Sequence, residues 1–523
     1  MTTAGDSYDA LPYPSYPFAL THPARLHVLG ALAGLTPAPL EGARVLELGC
    51  AAGGNLIPLA VDFPGARCLG VDASRRQIDE GRAAVAALGL DNCELLHGDI
   101  AELGPELGTF DYVVCHGVYS WVPPRVQEAI LGLCARQLAP DGVAYVSYNT
   151  FPGWRMRSMI RDMMRYHARQ FDEPATAVAQ GRRLLDYLAR NAADVRGAYA
   201  ALLEHELTLL RKQSDAYLFH EHLEATNEPL YFHQFIERVE AAGLTYLGEA
   251  SPGETRRTLF PELADDVGRG APAAVQVEQY RDFVINRSFR TSLLVRRDRP
   301  LRAAPTPEDV TRFLVAARAE RRAPREDDPP PPPDTPPGPE VMTLAGKVVR
   351  VHVPLVVAAL DALDAAWPRA LAWDELEAAA APGDEGGDPA TRRARLAEQV
   401  LELFADDHLE LRPCQPAVAP RVGDRPRAHR LARHHAEAGL VVTNARHEPH
   451  ELDRLERELV RACDGARDHA ALAAALVEAA AAGRLEVTKD GAPMTDPGEL
   501  REVFERVLPG KLRGLWRRSL LVE

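Results

Sequence analysis

The sequence predicts an α/β fold: a mostly parallel sheet covered by helices, with smaller helical units behind it. Three observations carry that prediction. From Arg44 onward, short apolar runs alternate with amphipathic stretches, as in a parallel sheet with crossover helices. The first run enters a glycine-rich turn, Glu47-Leu48-Gly49-Cys50-Ala51-Ala52-Gly53-Gly54-Asn55, that opens a helix. The first three strands each end at an acid: Glu47, Asp72 and Asp99.

The elements follow in order. Arg44-Val45-Leu46 is the first strand, and Asn55 to Asp62 is helical. Arg67 to Val71 is the second strand, ending in Asp72. Cys93 to His97 is the third, ending in Gly98-Asp99-Ile100. Phe110 to Cys115 is the fourth, followed by a helix from Pro124 to Leu138. Asp141-Gly142 turns the chain into a fifth strand, Val143 to Tyr148. Met156 to Lys212 is long, helical and amphipathic. Tyr231 to Ala242 is a helix stopped by Gly243. Leu244 to Ala250 and Ser292 to Arg296 read as the antiparallel pair that closes a seven-stranded, Rossmann-like sheet. Residues 1–300 then form one domain, with 153–228 as a helical insertion that serves as a lid or dimer surface.

Residues 301–340 read as a Pro-rich acidic linker, with Glu326-Asp327-Asp328 and the proline run 329–333 extended. Pro354–Ala366, Trp373–Ala380 and Thr391–Ala405 are three helices before the short strand Leu409-Glu410-Leu411, which predicts a winged-helix-like unit over 341–415. Residues 416–523 form a C-terminal helical unit. Arg484 to Val487 repeats the strand pattern, so a second winged helix is a candidate there.

Open α/β sheets bind ligands outside the C-terminal ends of their strands. Three acids at that edge suit a ligand with a positive charge, a ribose and an adenine but no phosphates, which is S-adenosylmethionine (SAM). Glu47 is expected to hold the methionine amino group, and Asp72 the ribose hydroxyls. Asp99 is expected at the adenine amino group, with Ile100 packed on the ring. Gly49 permits the tight turn, and Gly53 lets backbone and ligand approach closely. His116 and Gly117, after the fourth strand, flank the methionine portion. Cys50, Asn55, Ala73 and Gln77 complete the candidate cofactor-binding set. Tyr8, Tyr13 and Tyr16 precede the sheet and can close over the site, or pack on the surface. A dinucleotide reading is weaker, because Ala51 stands where the pyrophosphate fingerprint needs glycine.

At 523 residues the chain has room for two to four domains, and 46% hydrophobic content supports packed cores. A formal charge of -15 argues against a general nucleic-acid grip and is compatible with a basic protein substrate. Seven cysteines without a C-x-x-C pair predict a reducing cytoplasm, with no disulfide framework and no zinc site. No signal peptide and no twenty-residue apolar run are evident, so no membrane association is expected. His220, His222, Glu224 and His233 tempt a metal reading, but two histidines at i and i+2 do not share a helix face. Structural hydrogen bonds are expected there, and equally at His434-His435 and at His447 and His450.

Several blocks of sequence point further. They are Tyr13 to Phe18 with Thr21-His22-Pro23, His116 to Pro123, Ser147 to Trp154, and His220 to Glu224 running on to His233. Val442 to Glu448 is a fifth. On these the chain resembles bacterial SAM-dependent methyltransferases that carry a methyltransferase regulatory domain. That group includes rickettsial protein-lysine methyltransferases that modify outer-membrane protein B. The resemblance implies SAM as cofactor, a helical dimerisation or regulatory segment, and C-terminal domains around an open cavity. It also implies transfer of methyl to a protein nitrogen, with lysine first.

A lysine amine has a pKa of about 10.4, so its neutral form costs roughly 4 to 5 kcal/mol at pH 7. The acceptor side therefore needs an aromatic, desolvating wall and a polar acceptor for the proton. Tyr119 and Trp121 are the candidate wall, with core packing as the plain alternative. Tyr148 and Asn149 are the candidate oxygen acceptors. Two other readings stay open: a small-molecule methyltransferase, and a DNA-binding regulator acting through 340–415. Glu398, Glu402, Asp406 and Asp407 on or beside the candidate recognition helix weigh against DNA.

Overall fold

The computed structural model describes residues 11, 15–192, 197–253, 274–322, 338–344, 346–384, 388–489 and 492–522. Seven strands form one sheet. They are β1 Arg44–Leu48, β2 Arg67–Asp72, β3 Cys93–His97, β4 Phe110–Cys115, β5 Leu138–Asn149, β6 Leu244–Glu249 and β7 Phe289–Arg296. Their spatial order is β3-β2-β1-β4-β5-β7-β6. β7 runs antiparallel to β5 and β6, and the remaining pairs are parallel.

Every residue of β1 after Arg44 is buried, as is nearly all of β4. Such strands need helices on both faces. One face packs on Pro124–Gln137 and Phe232–Ala241, through Ile130, Leu131, Phe235 and Val239. The other packs on Pro23–Leu32, Leu56–Asp62 and Arg75–Ala87, through Leu26, Leu59 and Ile78. Chain order reverses between β1 and β4, so a crevice opens outside their C-terminal ends.

Between β5 and the helix Phe232–Ala241 the described residues leave the sheet as four α-helices, Gly153–Ala168, Pro174–Ala192, Ala198–Leu210 and Asp215–Leu218, and a π-helical turn, Phe219–Leu223. They share a core of their own, built on Ile160, Met164, Val178, Leu185, Leu203 and Leu207.

The linker expected at 301–340 is a correction. Thr306 caps a helical turn, Pro307–Arg312. Leu314–Ala316 pairs antiparallel with Glu410–Arg412, a hundred residues downstream. Glu320–Arg322 joins Glu340–Met342 and Val348–Arg350 in a three-stranded sheet. Strands of three residues are too short to show a period, and the nearby prolines dominate the sequence pattern. The acidic triplet and the proline run lie outside the described residues. The unit that was expected to begin at 341 therefore takes in Val310, Phe313 and Val315. These pack with Leu355, Leu376, Leu396 and Phe404, and with Val28 and Leu32 of the first helix. The sheet domain and the middle unit thus share a core. Asp407, at φ +59, adds polar contacts across the same seam: its carboxylate meets Arg25 at 2.6 Å and the Ser251 hydroxyl at 2.5 Å.

The C-terminal unit has a separate core built on Leu459, Leu472, Leu476, Phe504 and Leu512. Three short antiparallel pairs are described in it: Arg427–Ala428 with Leu521–Val522, Val441–Thr443 with Pro449–Glu451, and Thr488–Lys489 with Ala492–Pro493, the last just beyond the expected Arg484 to Val487. Among the described residues no helix is long and apolar enough to cross a membrane.

One buried charge cluster holds the end of the sheet together. Arg290, fully buried on β7, meets Glu249 of β6 and Asp282 of the helix Ala274–Ile285, each at 2.8 Å. It stacks 3.8 Å from the Phe232 ring. Truncating one partner of such a set strands the others. Arg290→Ala should destabilise the fold by about 3–5 kcal/mol, against under about 1 kcal/mol for the exposed Arg76→Ala. Chemical denaturation of both variants checks this, and equal losses would refute it.

Candidate functional site

The register sets the geometry of the edge. Glu47 lies opposite Gly70, so Asp72 stands two residues farther out. Asp72 lies opposite His97, so Asp99 stands two residues beyond that. The acids form a staircase with steps of about 6–7 Å along the strands. An elongated ligand, not a compact one, matches that spacing.

The loop after β1 is tied to the end of β2. Gly49 and Cys50 N–H donate to the Val71 carbonyl, and Ala51 N–H donates to Asp72 Oδ2 at 2.8 Å. Ser74 N–H donates to Asp72 Oδ1, also at 2.8 Å. Asp72 thus shapes the loop as well as facing the edge, and burial raises its pKa. Gly49 has φ +76, and a Cβ there would strike Val118. Gly53 has φ +77, but a Cβ there would meet Ile57 and Leu95. That corrects the expectation of close ligand approach: Gly53 serves the turn and the packing beneath it.

Glu47 is 4% exposed. Its Oε1 accepts from Asn55 Nδ2 at 2.9 Å, and its Oε2 is buried with no partner among the described residues. Burial pushes its pKa up to about 8, and the negative Asp72 adds to the rise. A buried carboxylate with an unmatched oxygen beside a second carboxylate favours a cation. The ammonium group of a bound amino acid fits that demand.

At the end of β4, Gly117 has φ +68, and a Cβ there would meet nothing within 4 Å. Its N–H donates to Ser147 Oγ at 2.8 Å. His116 Nδ1 meets the Tyr145 hydroxyl at 2.9 Å, and burial pushes this imidazole down to about 4, so it is neutral at pH 7. The Phe18 ring lies 4.0 Å from His116, and Phe289 lies 6.1 Å away on its edge.

The remaining expected residues are placed as follows. Cys50 packs against Gly70, and burial raises its thiol far above the usual range, so it is an inert filler. Asp99 Oδ1 accepts from Ala101 N–H and Oδ2 pairs with Arg125, both at 2.8 Å, at a half-exposed position. Ile100 is buried in the core. The Ala73 carbonyl lies 3.1 Å from His97 Nε2. Gln77 is buried, with Oε1 unpartnered among the described residues. Tyr13 and Tyr8 lie outside the described residues.

Two of the acceptor-side expectations are corrections. Tyr119 is 0% exposed, packed edge-on against Phe235 and Tyr148. Tyr148 is stacked on Phe235, with its hydroxyl 3.3 Å from Ser292. Both rings belong to the core, because their side of the sheet is the one covered by Phe232–Ala241. Trp121 is half-buried, edge-on to Trp154, where the insertion leaves the sheet. Asn149 is the last residue of β5, and its Nδ2 donates to Asn227 at 3.1 Å.

Sequence reasoning missed the residues that close around the loop. Ser15 Oγ accepts from Gly54 N–H at 2.8 Å, and Asn55 Oδ1 accepts from Phe18 N–H at 2.9 Å. The blocks around Tyr13 and Val442 were visible as patterns, but neither pattern named its contact.

With this geometry in place, likeness to known proteins becomes informative. Residues 45–142 match the methyltransferase domain family, 214–296 the predicted methyltransferase regulatory domain, and 424–520 the PKMT C-terminal winged helix domain. An uncharacterized protein of Rickettsia prowazekii is 32% identical over 519 residues, covering 98% of this chain and 93% of its own. A second from the same organism is 41% identical over 234 residues, covering 45% of this chain and 94% of its own. The structure of PKMT2 from Rickettsia typhi superposes with a TM-score of 0.85 at 27% identity, over 98% of this chain and all of that one. Its complex with AdoHcy gives 0.84 at 28% identity, over the same 98% of this chain and again all of that one.

The Glu47 environment carries a pH dependence. The free carboxyl is held up near 8, and an ammonium partner requires it ionised. SAM affinity should therefore tighten as pH rises from 6 to 8, by up to about tenfold per unit. Glu47→Gln should flatten that slope and weaken binding. Calorimetry across this range decides, and a flat profile in the unaltered protein would remove Glu47 from the site.

Proposed function

This chain belongs to the bacterial SAM-dependent methyltransferases that carry a methyltransferase regulatory domain, and from that premise we propose that it methylates a protein nitrogen, the lysine ε-amine first. The observation that carries the acceptor is the pair of exposed aromatic rings beside His116. They are Phe18 and Phe289, and each is 38% exposed. Aromatic faces attract a cation and strip part of its water. Rings open to solvent admit a long side chain from a large partner. The likeness to PKMT2 and the PKMT winged-helix match support the same reading.

SAM when bound supplies an electrophilic methyl group. The chain's own part is to hold and orient. In this reading Glu47 takes the amino group, Asp72 the ribose and Asp99 the adenine. Gly117 leaves open space at the end of β4. Transfer would join the amine nitrogen to that methyl carbon as its bond to sulfur is broken, so the held cofactor and the amine would have to lie in line. The nitrogen's proton must leave first, to the water that reaches the exposed rings of Phe18 and Phe289. Positioning is the main catalytic lever for such a displacement. Trp121 and Asn149 stay acceptor-side candidates within this reading. Tyr119 and Tyr148 do not, since both sit in the core.

Tyr166, Tyr187, Tyr199 and Leu209 are exposed on the inserted helices, and the reading includes a homodimer through them. Light scattering at micromolar concentration checks this, and a monomer ends that part. The enzymatic part has its own tests. Turnover at saturating SAM should climb from pH 7 to 9 as more amine becomes neutral. Phe289→Ala should raise KM for a lysine-bearing protein about tenfold, with SAM affinity held within about twofold. Mass spectrometry of treated proteins identifies the acceptor atom. Methyl groups only on oxygen, or only on metabolites, would leave the methyltransferase and remove lysine.

A further inference from the structure

We propose that His447, from the C-terminal winged-helix domain, is a positioning residue for the cofactor site: it holds Asn55, and Asn55 holds Glu47. The chain of contacts is continuous. His447 Nε2 lies 2.7 Å from Asn55 Oδ1, and Asn55 Nδ2 lies 2.9 Å from Glu47 Oε1. The two ends are 400 residues apart in sequence, and each of the three side chains is nine-tenths buried or more.

Elementary chemistry fixes the direction of every bond. The Phe18 backbone N–H can only donate, and it meets Asn55 Oδ1 at 2.9 Å. That atom is therefore the carbonyl oxygen, and the amide NH2 faces Glu47. His447 Nε2 must then carry its proton and donate. Burial pushes this imidazole down to about 3, so the neutral ring offers that one proton at working pH. With the Thr21 hydroxyl also 3.0 Å from Asn55 Oδ1, Asn55 is locked with its donor toward the carboxylate, and His447 makes the shortest of the three contacts. A free amide could rotate by half a turn and present oxygen to Glu47, which would repel the ionised form.

The loop that delivers His447 is built for one conformation. His447 has φ +66, a backbone region that few non-glycine residues occupy. Asn444 enforces it. Its Oδ1 accepts from Arg446 N–H and Glu448 N–H, both at 2.9 Å. Its Nδ2 donates to the Arg518 carbonyl at 2.9 Å. Arg446, buried beside it, donates to the Pro368 carbonyl at 3.0 Å and stacks 4.1 Å from Trp367. The loop is therefore anchored to the middle unit as well. Strain held by so many partners is a mark of a functional position. This gives the Asn444 to His447 part of the Val442 to Glu448 block a role beyond the strand pair that Val442 and Thr443 form.

The inference rests on Glu47 as the anchor for SAM, and the experiment separates the two. Asn tolerates positive φ but is too short to reach Asn55, so His447→Asn removes the bond while keeping the loop. Gln places an amide N–H near the position of Nε2, so His447→Gln restores it. His429→Ala removes a different contact between the same domains, the 2.7 Å bond to Asp62, without touching Asn55. The expected result is a SAM Kd about tenfold weaker in His447→Asn, within about threefold of the parent in His447→Gln, and within about twofold in His429→Ala. With saturating SAM, kcat in His447→Asn should stay within about twofold, because a KM effect without a kcat effect marks ground-state positioning. Unchanged SAM affinity in His447→Asn overturns the inference. So does equal weakening by His447→Asn and His429→Ala, which would mean only that the domains must dock. Unchanged affinity in Glu47→Gln overturns the site itself, whatever His447 does.

Discussion

A single buried carboxylate organises this molecule. Glu47 lies inside a strand buried along nearly its whole length, where an ionised group is costly unless it is matched. One of its oxygens is matched by Asn55, and the other is not matched among the described residues. The protein thus carries a built-in demand for positive charge at the switch point of its sheet. The glycine turn, the paired Asp72 and the staircase of acids all extend from that point. The same demand explains why Asn55 is so heavily braced, since a loose amide would leave the carboxylate with no partner at all.

That brace draws in distant parts of the chain. The N-terminal arm reaches Gly54 and Asn55 through Ser15 and Phe18. The first helix lends Val28 and Leu32 to the core of the middle unit, and Arg25 pairs with Asp407 across the seam. The C-terminal domain arrives through His447 and His429. The glycine loop from Glu47 to Asn55 is therefore where the N-terminal arm and the C-terminal domain both meet the sheet domain. An end-to-end match to the relatives, rather than a match confined to the sheet domain, is what such an arrangement calls for.

The sheet was legible in the sequence because its signals are local. Short apolar runs, glycine turns and terminal acids each sit within a few positions of one another. The acceptor side was less legible. Tyr119 and Tyr148 follow or lie in strands that are buried on both faces, so alternation does not reveal which way a ring points. Only the packing of Phe232–Ala241 shows that both rings belong to the core. The strand Leu314–Ala316 escaped for a different reason: three residues carry no period, and the partner strand is a hundred residues away. Phe289 was also out of reach, since its place beside His116 depends on how β7 enters the sheet.

The sequence by itself determined the α/β class, the order of the elements up to the closing pair, and the acids at the strand ends. These follow from periodicity and from residue types within short windows, which the backbone reads directly. Tertiary structure decided what those acids experience. The high pKa of Glu47 comes from burial and from the nearness of Asp72, and neither is a property of a neighbouring residue in the chain. Tertiary structure also decided that His447 meets Asn55, a contact made by docking two domains across 392 positions. Hydrogen bonds and desolvation act over a few ångströms in space, and sequence distance does not report that separation.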